Sequence, residues 1–198
     1  MANDEERSAA TTNRILDAAV SCFQRDSIDK VTMSDIIAES GLARTTVYRH
    51  FRIKDDIISQ VVLRDIDNLI QRLDNIRSQH ADEGVVAQLL EVLDFTINEI
   101  CQRPLLSELF SQGPIRVSRL GISNERVVEY SKQSTKPTFE LIKTSGRLRK
   151  GVRLEDFSDW CRRIIMSFVI TPHHDRDDPA KKRAYIQNFI VPSLLTDA

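Results

Sequence analysis

Basic side chains are concentrated in one short stretch of the chain, where they could bind a polyanion. Between Gly41 and Lys54 the sequence contains no acidic residue. The cations of this stretch are Arg44, Arg49, Arg52 and Lys54, and His50 lies among them. Residues 1–54 as a whole carry eight basic and eight acidic side chains, so the positive charge is local. Because cations that pair with phosphates release condensed counterions, this stretch is a candidate site for nucleic acid.

Two short helices joined by a tight turn are predicted to carry these side chains. Thr32 can cap the first helix, and Asp35 stands where a capping-box acid would. Gly41 suits the left-handed conformation that ends a helix. A second helix then begins at Arg44, with Val47 and Phe51 on its apolar face. Helix, glycine turn and helix at this spacing are typical of a helix-turn-helix, whose second helix enters the major groove of DNA.

The rest of the chain is predicted to form longer helices. From Lys54 to about Ser78, apolar residues recur every three or four positions, and the last two helices are expected near residues 156–171 and 179–195. No period-two strand pattern persists. We therefore expect an all-α fold class of about nine helices. An N-terminal three-helix helix-turn-helix domain would occupy residues 1–54, and a larger helical domain residues 55–198.

Several local features add expectations. The acidic segment over residues 1 to about 10 is expected to fray as a mobile terminus. Pro137 lies inside a helical segment and is expected to kink it. Cys22, Cys101 and Cys161 are far apart in apolar-periodic stretches, so we expect buried thiols and no disulfide.

The composition narrows the function classes. The 198 residues have a net charge of -1 and are 41% hydrophobic, which is typical of a globular chain. No apolar run reaches the roughly 18 residues of a membrane helix, and the start is acidic instead of signal-like. We expect a cytoplasmic protein without a membrane partner.

At these residues the sequence resembles the tetracycline-repressor (TetR) family of bacterial transcription regulators. The matching segments are Thr32–Ile36, Gly41–Phe51 and Lys54, preceded by Arg14–Ala19 and Phe23. They cover about the first quarter of the chain. The resemblance implies a ligand-responsive regulator, a repressor, that binds a near-palindromic operator as a homodimer. A small molecule bound in the larger, ligand-binding and dimerisation domain would release it.

The resemblance also implies which side chains meet DNA. Near phosphates it places Thr32, Tyr48, His50 and Lys54, and near base edges it places Arg44, Thr45, Thr46 and Arg49. Arginine can form a bidentate contact with guanine that contributes about 1–3 kcal/mol of discrimination. Three residues depart from the family pattern: Ala43 replaces a capping Ser or Thr, Thr45 a frequent Gly or Pro, and Ile37 a small residue.

The effector pocket and the dimer interface are expected in the larger domain. Candidate ligand-binding residues on inward helix faces are Leu69, Leu93, Phe110, Phe139 and Met166, although each could be plain core. They suggest an apolar or amphipathic effector. The last two helices would pack on their two-fold mates as a four-helix bundle. Their aromatic residues, expected in the core or the interface, are Trp160, Phe168, Tyr185 and Phe189.

Other clusters have simpler interpretations. The cations over residues 147–153 are interpreted as a solvated turn, without a phosphate-loop motif. His173, His174, Asp175, Asp177 and Asp178 are interpreted as a polar loop, so no metal is expected. No catalytic motif or cofactor site is recognised, and we expect no enzyme. The alternative function is a helical small-molecule-binding protein or enzyme without specific DNA binding.

Overall fold

The computed structural model of the chain describes residues 2–111, 124–171 and 178–196. Within these ranges the regular structure is helical and no strand occurs. The one extended pairing among the described residues is an isolated antiparallel bridge between Leu148 and Leu195. The predicted all-α fold is therefore confirmed.

Nine helices are present in the described residues when the last one is counted as a continuous run. They are α1 (Ala2–Arg25), α2 (Met33–Ser40), α3 (Arg44–His50), α4 (Lys54–Gln79), α5 (Val85–Gln102), α6 (Pro104–Ser111), α7 (Asn124–Thr144), α8 (Leu154–Ile170) and α9 (Pro179–Tyr185). A 3-10 turn (Ala81–Glu83) lies between α4 and α5. Helix α9 continues through a π-helical turn (Ile186–Ile190) into a last α-helical turn (Val191–Leu194). These bounds agree with the last two predicted helices to within two residues.

The described residues divide into two compact units. The first holds α1, α2, α3, the part of α4 up to Asp65, and α6. The second holds α4 from Ile66, α5 and helices α7 to α9. Helix α4 is therefore one continuous helix with residues in both units. The predicted domain boundary after residue 54 corresponds to the start of α4 and remains a prediction.

Helix α1 begins ten residues earlier than its apolar periodicity indicates. The segment expected to fray is helical from Ala2, and its side chains from Asp4 to Ala10 are exposed. Asp4 and Glu5 lie in the first turn, where negative charge complements the helix dipole. The first part of the helix therefore extends past the face that α1 buries.

The core of the first unit fixes α3 on its scaffold. Ile15 of α1, Ile36 of α2 and Val47 of α3 are all 0% exposed. Phe51, which follows α3, is also buried. The prediction that Val47 and Phe51 anchor the second short helix is confirmed. With these side chains turned inward, the opposite side of α3 must face outward.

The second unit has a larger core. The rings of Phe139 and Phe157 pack edge to face with centroids 5.5 Å apart, next to the buried Leu89 and Leu93. Cys22 in the first unit and Cys161 in the second are buried, as expected. Burial raises the pKa of the Cys161 thiol to about 12. The expectation for Cys101 is wrong, because this residue is exposed. It follows the buried Ile100, and one residue of helix turns it to the outer face.

Helix α7 runs through Pro137. Proline lacks the N–H that would bond the carbonyl four residues earlier, so this turn of the helix is short of one donor. The Arg77 guanidinium lies beside the same turn, where its Nη2 donates to the Ser134 carbonyl and its Nε donates to Thr138 Oγ1 at 3.1 Å. An arginine from α4 therefore bonds the turn that the proline interrupts.

Candidate nucleic-acid interface

The first short helix, α2, is capped at its start by Thr32. Thr32 Oγ1 accepts from the Asp35 backbone N–H at 3.3 Å, and Asp35 Oδ2 accepts from the Thr32 backbone N–H at 2.8 Å. This reciprocal pair is the predicted capping box, which is confirmed. Hydrogen bonds from the Thr32 hydroxyl and backbone hold the pKa of Asp35 below its usual value. Thr32 itself is exposed, so it is accessible to a phosphate.

Gly41 ends α2 and turns the chain into α3. Its φ of 62° lies in the left-handed region, as predicted. A Cβ atom at this position would lie 3.1 Å from Nη2 of Arg14. The Arg14 Nε donates to the Ser40 carbonyl at 2.8 Å, which satisfies one of the last acceptors of α2. Glycine is therefore favoured here both by conformation and by the close approach of α1.

Helix α3 presents polar side chains outward. Ala43 is its N-cap and makes no side-chain cap hydrogen bond, as its side chain implies. Arg44, Thr45 and Arg49 are exposed, while Thr46, Tyr48 and His50 are half-buried. The predicted contact residues of α3 therefore all reach the surface, around a helix whose buried anchor is Val47.

The exposed cations near α3 are not neutralised by the protein. Among the described residues, Arg44, Arg49 and Arg52 have no acidic partner within salt-bridge distance. Two other arginines of the same unit are paired with acidic side chains: Arg25 with Glu39 and Arg64 with Asp17, each at 2.7 Å. The segment from Arg44 to Arg52 therefore presents positive charge to solvent, which is the electrostatic requirement for phosphate binding.

Arg44 is held along the surface of its own helix. Its guanidinium carbon lies 5.2 Å from the centre of the Tyr48 ring, one turn later. Its Nη2 donates to the Tyr48 hydroxyl at 3.5 Å. Stacking of this kind restricts the arginine side chain and leaves its remaining donors outward.

His50 and Lys54 bond to other parts of the first unit. His50 Nδ1 lies 3.1 Å from Thr12 Oγ1 on α1. The Lys54 ammonium donates to the carbonyls of Ile28 and Val31 at 2.7 and 2.8 Å. Two of its three protons therefore serve the loop between α1 and α2, and one proton remains for a phosphate. Sequence reasoning missed Thr12, since no local signal pairs residues 38 positions apart.

Among the predicted effector residues whose side chains the structure describes, Leu93 alone lines a cavity found in the second unit. This cavity of about 30 Å³ is bordered by Leu93 and by other apolar side chains. Leu69 instead packs with Leu73 and Val92, while Phe139 lies in the core and Met166 is half-buried. The side chain of Phe110 lies outside the described residues. The hydroxyl-bearing residues that border the cavity were not predicted; they are Thr96, Ser134, Thr135 and Thr138.

Helices α8 and α9 carry exposed aromatic side chains. Trp160, Tyr185 and Phe189 are 37%, 38% and 68% exposed, whereas Phe168 is buried. Tyr185 packs against Phe189 with centroids 4.9 Å apart. The Trp160 Nε1 donates to Ser193 Oγ at 2.9 Å. Large apolar surface of this kind is typical of a face that a partner covers.

The remaining clusters do not form a further site in the described residues. Arg147 Nε and Arg149 Nη1 donate to the carbonyls of Thr196 and Pro192, each at 3.3 Å, so this loop bonds the end of the last helix. His173, His174, Asp175 and Asp177 lie outside the described residues. Asp178 caps α9 through the backbone N–H groups of Ala180 and Lys181. In the described residues, no three metal-ligating side chains come together, and no helix is long and apolar enough to cross a membrane.

Comparison with protein families and with individual sequences matches only part of the chain, and comparison with solved structures concerns the fold of nearly all of it. Residues 15–61 match the family model described as bacterial regulatory proteins, tetR family. An HTH-type transcriptional regulator of Staphylococcus aureus (strain bovine RF122 / ET3-1) is 31% identical over 81 residues. The alignment spans 40% of this chain and 44% of that relative, so the chain covers less than half of the relative's length.

Solved structures resemble the whole chain. A TetR-family transcriptional regulator from Pectobacterium atrosepticum superposes with a TM-score of 0.74 at 14% identity, over 97% of each chain. SmeT, the repressor of the Stenotrophomonas maltophilia multidrug efflux pump SmeDEF, gives a TM-score of 0.63 at 19% identity, over 96% of this chain and 93% of SmeT. At these identities the likeness establishes the fold.

Proposed function

Because the chain belongs to the TetR family of bacterial regulatory proteins, we propose that it is a ligand-responsive transcriptional regulator that binds a DNA operator. The observation that carries the proposal is the unneutralised positive charge of α3. Arg44 and Arg49 are exposed on a helix anchored by the buried Val47, and no acidic side chain of the described residues pairs with them. Such a helix can enter a major groove with its cations toward base edges and phosphates.

The roles of the individual side chains follow from their placement. Arg44, Thr45, Thr46 and Arg49 would meet base edges, and Thr32, Tyr48, His50 and Lys54 would meet phosphates. Arg44 is held against Tyr48, so part of the entropy cost of ordering it is already met before DNA arrives. The free ammonium proton of Lys54 would bind a phosphate at the start of α4.

We propose that the regulator acts as a homodimer in the cytoplasm. Two recognition helices must lie roughly 34–36 Å apart to enter successive major grooves on one side of a duplex, and a dimer fixes this distance. The exposed Trp160, Tyr185 and Phe189 on α8 and α9 support an interface there with the same helices of a second copy. The resulting four-helix bundle would cover the aromatic face.

We propose repression that a small effector relieves. The lining of the second unit's cavity combines apolar side chains such as Leu93 with the hydroxyl-bearing residues Thr96, Thr135 and Thr138, which supports an amphipathic effector. At about 30 Å³ the cavity holds one water-sized molecule, so effector binding would have to enlarge it. A molecule that binds only the enlarged form would shift the population toward that form. SmeT, a repressor, provides a precedent within the same fold.

Duplex selection tests the proposal directly. A pool of random duplexes is enriched on the wild-type protein, and the selected sequence is titrated against its shuffled version at several salt concentrations. We expect a two-fold-symmetric site with much higher affinity than the shuffled duplex, and an affinity that falls steeply with salt. Equal affinity for the two duplexes would refute specific regulation.

A pair of arginine variants tests whether α3 is the helix that contacts the bases. Arg44→Ala should weaken discrimination at one base position of each half-site by about 1–3 kcal/mol. Arg25→Ala is the matched control, because Arg25 is also exposed but is neutralised by Glu39. The control should keep the affinity and the selected sequence of the wild type. If both variants behaved alike, the assignment of α3 as the reading helix would be wrong.

A further inference from the structure

A hydrogen bond between α1 and α3 determines how one contact residue is presented. His50 is the last residue of α3, and its Nδ1 lies 3.1 Å from Thr12 Oγ1 on α1. The contact is partly buried, and both residues are half-exposed. The other ring nitrogen, Nε2, has no partner among the described residues. A neutral imidazole carries its proton on only one of these two nitrogens.

The direction of the hydrogen bond follows from the surroundings of Thr12. The neighbouring Thr11 donates its hydroxyl proton to the Arg7 carbonyl at 2.8 Å, one turn back along the helix. Thr12 makes no such bond in the described part of the chain, and His50 Nδ1 is its one side-chain partner there. An O–H group that is half-buried donates to the acceptor within reach. Nδ1 is the acceptor that the described residues offer to this hydroxyl proton, and a ring that accepts the proton there carries none on Nδ1.

We infer that Thr12 is a positioning residue for DNA binding, because its hydroxyl donates to His50 Nδ1 and so holds the imidazole as the tautomer with the proton on Nε2. In this tautomer Nε2, the ring nitrogen without a partner among the described residues, is a donor, and the exposed Arg49 and Arg52 are its near neighbours in sequence. A phosphate oxygen is the acceptor that such a donor fits. The inference rests on the proposed function for its phosphate partner, while the tautomer itself is a property of the DNA-free protein.

The opposite tautomer would present a hydrogen-bond acceptor to the phosphate instead of a donor. With the proton on Nδ1, Nε2 would be a lone-pair acceptor facing a phosphate oxygen, which is also an acceptor. In the neutral ring, the Thr12 hydroxyl on α1 therefore determines whether Nε2 is a donor or an acceptor toward a phosphate oxygen. The sequence distance of 38 residues between Thr12 and His50 explains why no local motif reveals the pair.

Nitrogen NMR of the protein labelled with ¹⁵N-histidine tests the tautomer without DNA. The chain has four histidines, and the His50→Gln variant identifies the His50 signals by their loss. At a pH where the ring is neutral, we expect the wild-type His50 spectrum of the Nε2–H tautomer. Thr12→Val should shift it toward a mixture of both tautomers, and Thr11→Val should not. A wild-type Nδ1–H tautomer would overturn the inference.

Affinity for the selected duplex tests whether the hydrogen bond between Thr12 and His50 contributes to DNA binding. Thr12→Val should weaken binding about threefold per protomer, since one hydrogen bond loses its orientation. Thr12→Ser should restore the wild-type affinity, and Thr11→Val should leave it unchanged. In the His50→Ala background, Thr12→Val should have no further effect. A loss that persisted in that background would assign Thr12 a packing role and overturn the inference. If the wild type selected no duplex, the proposed function would fail, and the NMR result would still decide the tautomer.

Discussion

Arg77 Nε donates to Thr138 Oγ1 at 3.1 Å, and this bond joins α4 to α7 one residue after Pro137. The guanidinium is largely buried, with its side chain 11% exposed, and burial lowers the pKa of Arg77 while Asp74 raises it. Its other donors serve the Ser134 carbonyl and the Asp74 carboxylate. Ser134 and Thr138 both border the cavity, so Arg77 connects α4 with the cavity lining.

Replacing this arginine should destabilise the second unit. Arg77→Met removes the guanidinium hydrogen bonds to the Ser134 carbonyl and to the Thr138 hydroxyl, and each hydrogen bond from a charged group contributes about 1.5–3 kcal/mol. We expect a loss of about 2–4 kcal/mol in the free energy of unfolding, measured by urea denaturation. Arg153→Met is the control, because its ion pair with Asp156 is exposed and should contribute less than about 1 kcal/mol. Equal losses in both variants would contradict the role assigned to Arg77.

The turn between α2 and α3 provides a second test. Gly41→Ala should destabilise the chain through its positive φ and through contact with Arg14, at 3.1 Å from the new Cβ. Gly146→Ala is the matched control, since Gly146 has a φ of 76° and open space around its Cβ position. We expect about 1 kcal/mol for the control and a larger loss for Gly41→Ala. The same urea experiment measures the free energy of unfolding of both variants. Identical losses would show that the Arg14 side chain moves away from the new Cβ at no cost in stability.

The capping box should make α2 sensitive to acid. Hydrogen bonds from Thr32 lower the pKa of Asp35, so the folded state binds this proton less tightly than the unfolded state. The stabilisation is therefore present above the unfolded pKa, near 3.8, and is lost as pH falls through the folded value. Asp35→Asn should be less stable than the wild type at pH 7, and the difference should shrink below pH 4. Thermal melts over this range measure it, and a constant difference would contradict the assignment.

The exposed aromatic face gives a test of assembly. Phe189→Asp should convert the proposed dimer to a monomer, because a carboxylate would be buried against the apolar surface of a second copy. Phe189 is 68% exposed in the single chain, so the variant should fold. Ile53→Asp is the control, since Ile53 is 56% exposed but belongs to the first unit. Sedimentation equilibrium distinguishes the species; an unchanged dimer in Phe189→Asp would place the interface elsewhere.

Local patterns predicted the helix-turn-helix well because its signals are local. The capping box of Thr32 and Asp35, the left-handed Gly41 and the buried Val47 each depend on neighbours within a few residues. The same reasoning was less successful where apolar periodicity alone was available. It placed Cys101 inside, although one residue of helix rotation exposes it. The effector candidates remain a prediction; among those whose side chains the structure describes, Leu93 borders the cavity.

The sequence by itself determined the set of helices, the basic α3 and its anchoring residues. Helix caps, glycine conformation and local charge depend on residues that are adjacent in the chain. Only the tertiary structure decided which atoms these side chains bond. Thr12 meets His50, Lys54 meets the carbonyls of Ile28 and Val31, and Arg77 meets the turn at Pro137. Each pair joins residues more than twenty positions apart. Their contact depends on how helices pack, because packing brings together polar groups that no spacing along the chain reveals.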